Sequence, residues 1–580
     1  MSQSPFLPMR TTPPTRSEPA GAGPEECAPR LLLLTGAILS LHAAFVYRFW
    51  WLNDDAFISF RYARNLARGE GIRFNVWDQT PVEGYSNFLW VLTGGALHAT
   101  GLNMALGLQV LSWLCGAALL ALLLHRLVRV LEVPVAIAGV TVAGLACYPP
   151  FAAWSTGGLA TMPLALLVFL TFDRLVLAAR GPDALLGGVF GSLLVLLRVE
   201  GIAWFTVLLV LALISQAVRR RYALRPLLGA ALIGAAVFAG HLVWRQGYYG
   251  HWLPNTYYAK QVSGWSFVER GANYLLANVL TFLVPLVIIP GLVAAWRRRR
   301  RTVGVGVAAL AWAFPVYAIV VSGDYMPMGR FLIPGLAFGT ILWAWLLTDL
   351  GRGSPKRMRL ALLAGVGVGV IGALPGWDVH VLPIEIRSEF GYRRHGGREM
   401  KSEYQRWAGL SSKVMAWSRL GRMLRAYAGS ELEQPVSMVV RALGTIGYGT
   451  DFLMYDCAGL TVPEIARKQV TEWKKQPGHD KSVEPDYFVD CYPSILQAWI
   501  LPADKPEATV EQIKTNLKGI LGGPVRSHYR PDLVRMVGSD GDRTKYLLAL
   551  VRSRPASMLA WRVLMQIVPA DLDKVREITY

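Results

Sequence analysis

Apolar runs bounded by charge recur through residues 31–376 of this 580-residue chain. A run of about 17–25 apolar residues matches the hydrocarbon thickness of a bilayer. In lipid every backbone amide and carbonyl must be satisfied within the segment, so each such run is expected to be a helix. We place about eleven spans, near 31–50, 104–124, 133–151, 159–177, 183–197, 202–218, 226–245, 274–295, 303–321, 331–348 and 360–376. Residues 88–99 are apolar but short and read as re-entrant or interfacial. Composition agrees, with 53% hydrophobic residues and a mean hydropathy of +0.35, which excludes a soluble protein of this length. Residues 377–580 have ordinary globular composition and suffice for one soluble domain. Their mixture of strand-like runs (436–440, 452–455) and a helical one (509–521) predicts an α/β domain. The expected fold class is therefore a polytopic α-helical membrane protein of about 11 transmembrane helices with a C-terminal α/β domain.

The net charge of +20 would suit nucleic acid if it were gathered on one face. Instead the cations fall in short clusters between apolar runs: Arg126 and Arg129, Arg174 and Arg180, Arg219 to Arg221 with Arg225, Arg297 to Arg301, and Arg352 to Arg359. That is the positive-inside pattern, so no nucleic-acid partner is expected and these gaps are assigned to the cytoplasm. Residues 1–30, rich in proline, read as a disordered cytoplasmic leader. The first apolar run lacks a small-residue cleavage site and reads as a retained anchor. Eleven spans then carry the tail to the extracytoplasmic side. Cys457 and Cys491 would be placed to pair there only if the compartment is oxidising, and spacing alone does not pair them.

The alternate gaps, expected on the outer face, collect polar residues that topology alone does not require. They hold Asp54-Asp55 and Glu83 in a first outer loop spanning 51–103, Arg198-Val199-Glu200-Gly201, Tyr249 to Lys260, and Gly323-Asp324 to Arg330. Two adjacent carboxylates beside hydrocarbon are costly to keep. They read as a helix cap, a metal ligand, or a general base, and the base reading is favoured for one of the two. An Asp pair without a histidine is a weak metal signal. After Asn53, residues 57–68 are amphipathic, with Arg61, Arg64 and Arg68 on one stripe. The expectation is a helix lying in the headgroup plane with its arginines among phosphates. Arg198 and Glu200 would neutralise each other as an ion pair, and Arg330 at the mouth of a span suits a lipid phosphate.

Asp54-Asp55-Ala56-Phe57-Ile58-Ser59-Phe60-Arg61-Tyr62-Ala63-Arg64-Asn65-Leu66, followed by Val82-Glu83-Gly84-Tyr85-Ser86-Asn87, resembles the first outer loop of GT-C type membrane glycosyltransferases. The branch it resembles is that of the mycobacterial terminal β-arabinofuranosyltransferases and their wider bacterial relatives. Leu253 to Lys260, Gly323 to Phe331 and, in the tail, Gly444-Thr445-Ile446-Gly447-Tyr448 with Tyr455 to Leu460 look like later motifs of the group. The chain departs from the pattern at Ala160, where relatives often carry glutamate, and at Val199 and Phe88, where they often carry proline.

The resemblance implies an inverting transferase in a bacterial plasma membrane. It would pass a sugar (arabinofuranose by the resemblance) from a polyprenyl-phosphate donor to a glycan or glycolipid acceptor hydroxyl. A different sugar, or transport of a lipid-linked sugar, is the alternative. Asp54 and Asp55 are then the catalytic candidates. Glu83, Tyr85, Arg198, Glu200, Asn255, Tyr258, Lys260, Asp324 and Arg330 are the candidates for binding donor and acceptor. No cofactor is expected, and a divalent metal is not required if cationic side chains neutralise the phosphate.

Overall fold

The computed structural model describes residues 24–78, 80–178, 181–219, 224–283, 288–298, 303–389, 401–470, 477–520, 524–538, 544–553 and 558–580. The leader up to residue 23, Arg180, Arg220, Arg221 and Arg299 to Arg301 lie outside them. Among the described residues, six helices are long and apolar enough to cross a bilayer: Pro29–Arg48, Met104–Arg129, Leu224–Tyr249, Val303–Val320, Arg330–Gly351 and Pro355–Trp377. Shorter apolar helices at Val135–Ala146, Pro182–Leu197 and Gly201–Ala217 fall within other expected spans, and Phe88–Ala99 forms the short helix expected there.

Three expected spans are interrupted. The run 133–151 breaks at Cys147-Tyr148, between the helices Val135–Ala146 and Pro149–Trp154. The run 274–295 is not one helix. Trp265–Phe282 ends where Leu283 takes a left-handed backbone (φ 58°), and Ile288–Arg297 is a separate helix. The run 159–177 is α-helical over Thr161–Phe172 and continues as a π-helix over Asp173–Ala178. Asp173 is fully buried there, and Arg126 and Arg174 bond to it. These cations come from the ends of two apolar helices, so a cluster read as topological charge also ties the helices together.

The C-terminal domain opens with the helix Glu403–Glu431, capped reciprocally by Ser402 and Gln405. It carries a six-stranded sheet of β1 (Ser437–Val440), β2 (Leu453–Asp456), β3 (Ile495–Pro502), β4 (Tyr529–Val537), β5 (Lys545–Arg552) and β6 (Glu577–Thr579). The order is β2-β1-β3-β5-β4-β6. Pairing is parallel from β2 to β3 and between β4 and β6, and antiparallel where β5 meets β3 and β4. Strand alternation puts successive residues on opposite faces. Leu547, Ala549 and Val551 join the core continuous with the membrane helices. Tyr546, Leu548 and Leu550 join a second core with Ile513, Leu517 and Trp561 of the covering helices Pro506–Lys518 and Met558–Gln566. The sheet is thus seated on the membrane part by one whole face.

The helix Asp54–Ala67 lies at that seating, and it corrects the amphipathic expectation. Arg61 and Arg64 are only 2% and 6% exposed. Arg61 donates to the carbonyls of Gly447 and Phe452 at 2.8 and 2.7 Å and lies over Phe74. Arg64 donates to the Tyr448 carbonyl at 2.9 Å and pairs with Asp451. The helix does not lay its basic stripe among lipid phosphates; Arg61 and Arg64 grip the tail, and Arg68, just past its end, reaches Asp451 at 3.6 Å. Periodicity reports which residues share a face, but not whether that face meets headgroups or orphan carbonyls of another domain.

Candidate functional site

Asn53 caps the outer-loop helix by accepting from the Asp55 amide at 2.8 Å. This turns the two carboxylates in different directions. Asp54 is buried, and the first turn of the tail helix Leu443–Thr450 supplies its partners. Its oxygens accept from the Thr445 amide at 2.8 Å, the Thr445 hydroxyl at 2.6 Å and the Gly444 amide at 3.3 Å. Burial outweighs these donors and pushes the Asp54 carboxyl up to about 6. Asp55 is half-buried and accepts from the Tyr325 hydroxyl at 2.9 Å.

Around Asp55 the distant loops converge. Lys260 has Asp55, Arg330, Asp324 and Arg198 within electrostatic reach. Asp324 is buried and ion-paired to Arg330 at 2.8 Å, and burial pushes its carboxyl up against the pull of Arg330 and Lys260. Arg330 also lies over the rings of Trp154 and Phe331. Beyond it opens a cavity with a polar rim of Arg198, Glu200, Tyr317 and Arg330. Its walls are Leu159, Ala160, Thr161, Leu164, Trp204, Phe314, Phe331 and Pro334. Arg198 and Glu200 pair at 2.9 Å, and Arg198 also donates to Ser86. Ala160, one of the departures from the family pattern, therefore stands in the cavity wall.

Other candidates sit elsewhere. Glu83 is held by Arg245 at 2.7 and 3.3 Å in a buried bidentate pair, and burial pushes its carboxyl up to about 7. The Tyr85 hydroxyl meets that of Tyr249 at 3.2 Å, and its ring packs on Tyr62. Asn255 donates to the carbonyls of Gly459 and Leu460, each at 2.9 Å. Tyr258 lies under Arg467, and its carbonyl accepts from Lys481 at 2.7 Å. Of the candidates, Arg198, Glu200 and Arg330 line the cavity, whereas Asp54, Asp55, Glu83, Lys260 and Asp324 do not.

Sequence reasoning missed what the tail brings to this place. The segment Pro477–Ser482 lies across the loops. His479 packs edge-on against Tyr325 with ring centres 4.8 Å apart, and burial lowers its imidazole pKa. Asp480 forms a buried bidentate pair with Arg270 at 2.8 and 3.0 Å. A His-Asp-Lys triplet in a loop was the available signal. Nothing in its spacing links it to Tyr325, Arg270 or Tyr258, far earlier in the chain. Among the described residues, no group of three or more His, Cys, Asp or Glu side chains is arranged to hold a metal ion.

No family model matches the chain. It is similar to a terminal β-(1→2)-arabinofuranosyltransferase of Corynebacterium glutamicum, with 26% identity over 373 residues, covering 55% of this chain and 52% of that protein. The match thus spans about half the length of that relative. Crystal structures of ArnT from Cupriavidus metallidurans align with 90% of this chain and 98% of theirs at 14% identity. The TM-score is 0.52 for the apo state and 0.51 for the form bound to undecaprenyl phosphate. Taken with the apolar helices and the seated sheet, these likenesses give the chain its class: a multi-pass membrane protein of the GT-C fold with an α/β domain at its C-terminal end.

Proposed function

We propose that this protein is an inverting glycosyltransferase that moves a sugar from a polyprenyl-phosphate donor to an acceptor hydroxyl at the outer face of a bacterial plasma membrane. The observation that carries this reading is the half-buried Asp55 carboxylate, bonded to Tyr325 and facing Lys260. The Asp324–Arg330 pair is within electrostatic reach of both, and Arg330 lines an apolar cavity. Asp55 is the base, because Asp54 is already filled by three donors. The acceptor oxygen attacks the anomeric carbon from the face opposite the phosphate while its proton passes to Asp55. The carbon–oxygen bond to phosphate breaks, its electron pair stays on the phosphate, and polyprenyl phosphate leaves. Lys260, Arg330 and Arg198 neutralise the charge that grows on that phosphate. The apolar wall from Leu164 to Pro334 suits the first isoprene units.

Support for a lipid-linked donor comes from the fold shared with ArnT, one of whose structures holds undecaprenyl phosphate. Support for an arabinofuranosyl group comes from the curated relative and the first-loop motif. In this reading the N-terminus is cytoplasmic, the tail is extracytoplasmic, and the acceptor is a cell-envelope glycan or glycolipid.

The test is a detergent-solubilised assay with a panel of radiolabelled polyprenyl-phospho-sugars and envelope glycan acceptors. Consumption of one donor by the wild type, lost in Asp55→Asn, is the expected result. If no donor in the panel is consumed, or if Asp55→Asn transfers at the wild-type rate, the proposal fails.

A further inference from the structure

The C-terminal domain reaches Asp54 through a single turn, and that turn has no slack. A Cβ on Gly444 would stand 1.9 Å from the Asp54 carbonyl oxygen, so only glycine lets the two helix starts meet. Beside it, Thr445 gives Asp54 both its amide and its hydroxyl, at 2.8 and 2.6 Å, across 391 positions of sequence. The other end of the same tail helix is held by Arg61 and Arg64 through the Gly447 and Tyr448 carbonyls. The turn is therefore clamped at both ends and presents its donors to one carboxylate. The ionisable groups that bear on Asp54 are Asp55 on its own helix and Tyr325 from the outer loop. The tail turn adds dipolar donors and no charge.

We infer that Thr445 is a positioning residue for the transfer reaction: its hydroxyl and amide fix Asp54 as an oriented anion behind Asp55, so the soluble domain is a working part of the centre. This rests on the transfer reading above. An anion held there keeps the first helical turn in place and favours proton uptake by Asp55 from the acceptor. A tail that merely covered the site, or only gripped an acceptor, would have no reason to donate to that carboxylate.

Thr445→Val removes one donor and keeps the shape, whereas Thr445→Ser keeps the donor. For the valine variant, kcat is expected to fall about tenfold, the size of one hydrogen bond to a charged group. The donor KM should be unchanged, and the acid limb of the kcat profile should move up by about one pH unit. Serine should restore both. A second arm does not need turnover. Dicyclohexylcarbodiimide modifies protonated carboxyls in apolar surroundings, and at pH 7, about one unit above the point where wild-type Asp54 titrates, it should label the Asp54 peptide about fivefold faster in the valine variant than in wild type or serine. Thermal unfolding in detergent checks that each variant is folded, and Thr445→Ala replaces valine if valine is not. Equal labelling and an unmoved acid limb in the folded variant overturn the inference, as does a serine variant that behaves like valine. If the wild type consumes no donor, the transfer reading fails, while the labelling arm still decides whether Thr445 governs Asp54.

Discussion

Two acid–arginine pairs lie near the same surface and have opposite fates. Glu83 and Arg245 close on each other with both side chains almost fully buried. Asp324 and Arg330 also bond, but Arg330 faces a cavity and the pair has Lys260 and Asp55 within reach. The residue types are the same, and what differs is unspent capacity. A bidentate pair with no open side is a fastening whose removal exposes an uncompensated charge. A pair with an open side can exchange its partner for an incoming phosphate. The contrast between Asp54, filled by Thr445 and Gly444, and Asp55, whose carboxylate accepts from the Tyr325 hydroxyl, repeats that lesson within two adjacent residues.

The sharpest way to break this distinction is Asp55→Asn. Loss of a general base lowers turnover by about 10²–10⁴-fold, measured as labelled sugar transferred per enzyme, with thermal unfolding little changed. Glu83→Gln should do the reverse. Leaving Arg245 buried and unpaired costs about 3–5 kcal/mol, seen as a lower unfolding midpoint and poorer recovery of folded protein. Glu83→Gln combined with Arg245→Met should regain much of the loss. A Glu83→Gln protein that stays stable but transfers no sugar would move Glu83 into the centre and erase the comparison. Arg330→Lys keeps the charge and loses the fork, so donor affinity should fall about tenfold, with kcat less affected.

The smallest effect concerns pH. Asp54 titrates in the fold at about 6, above the ordinary carboxylate value. Between those two pH values the folded chain therefore binds more protons than the unfolded one. Stability contributed by this group falls as pH rises through about 4–6 and is level above that. Transfer needs the Asp54 anion in our reading, so it should rise through the upper part of the same window. Lowering pH from 7 to 5 should raise the unfolding midpoint slightly while slowing turnover, and Asp54→Asn should make the stability response smaller, leaving the part due to Glu83, whose carboxyl is pushed up to about 7.

Much of the architecture was legible because membranes impose long apolar runs and sheets impose alternation. The span near 303–321, the strand near 437–440 and the helix at 506–518 lie close to their expected positions. The break at Leu283 was hidden, since a left-handed residue inside an apolar run leaves hydropathy unchanged. The convergence of Asp55, Lys260, Asp324 and Arg330 followed from topology, because loops on one side of a bundle share one surface. Glu83 and Asn255 were gathered with them by the same reasoning. What separated them was a specific partner, Arg245 in one case and the Gly459 and Leu460 carbonyls in the other. Arg245 lies within an apolar helix and Thr445 in the tail, and no local pattern joins either to its acid.

The grip of Arg61 and Arg64 on the tail has a consequence for how the chain is made. Their carbonyl partners lie 386 and 384 residues downstream. During synthesis the amino-terminal loop must wait, its guanidinium groups unmatched, while every later helix is threaded into the bilayer. The earliest surface element to emerge is thus among the last to be completed, and a ribosome that stops short of residue 447 leaves behind a membrane bundle whose first loop has nothing to close upon.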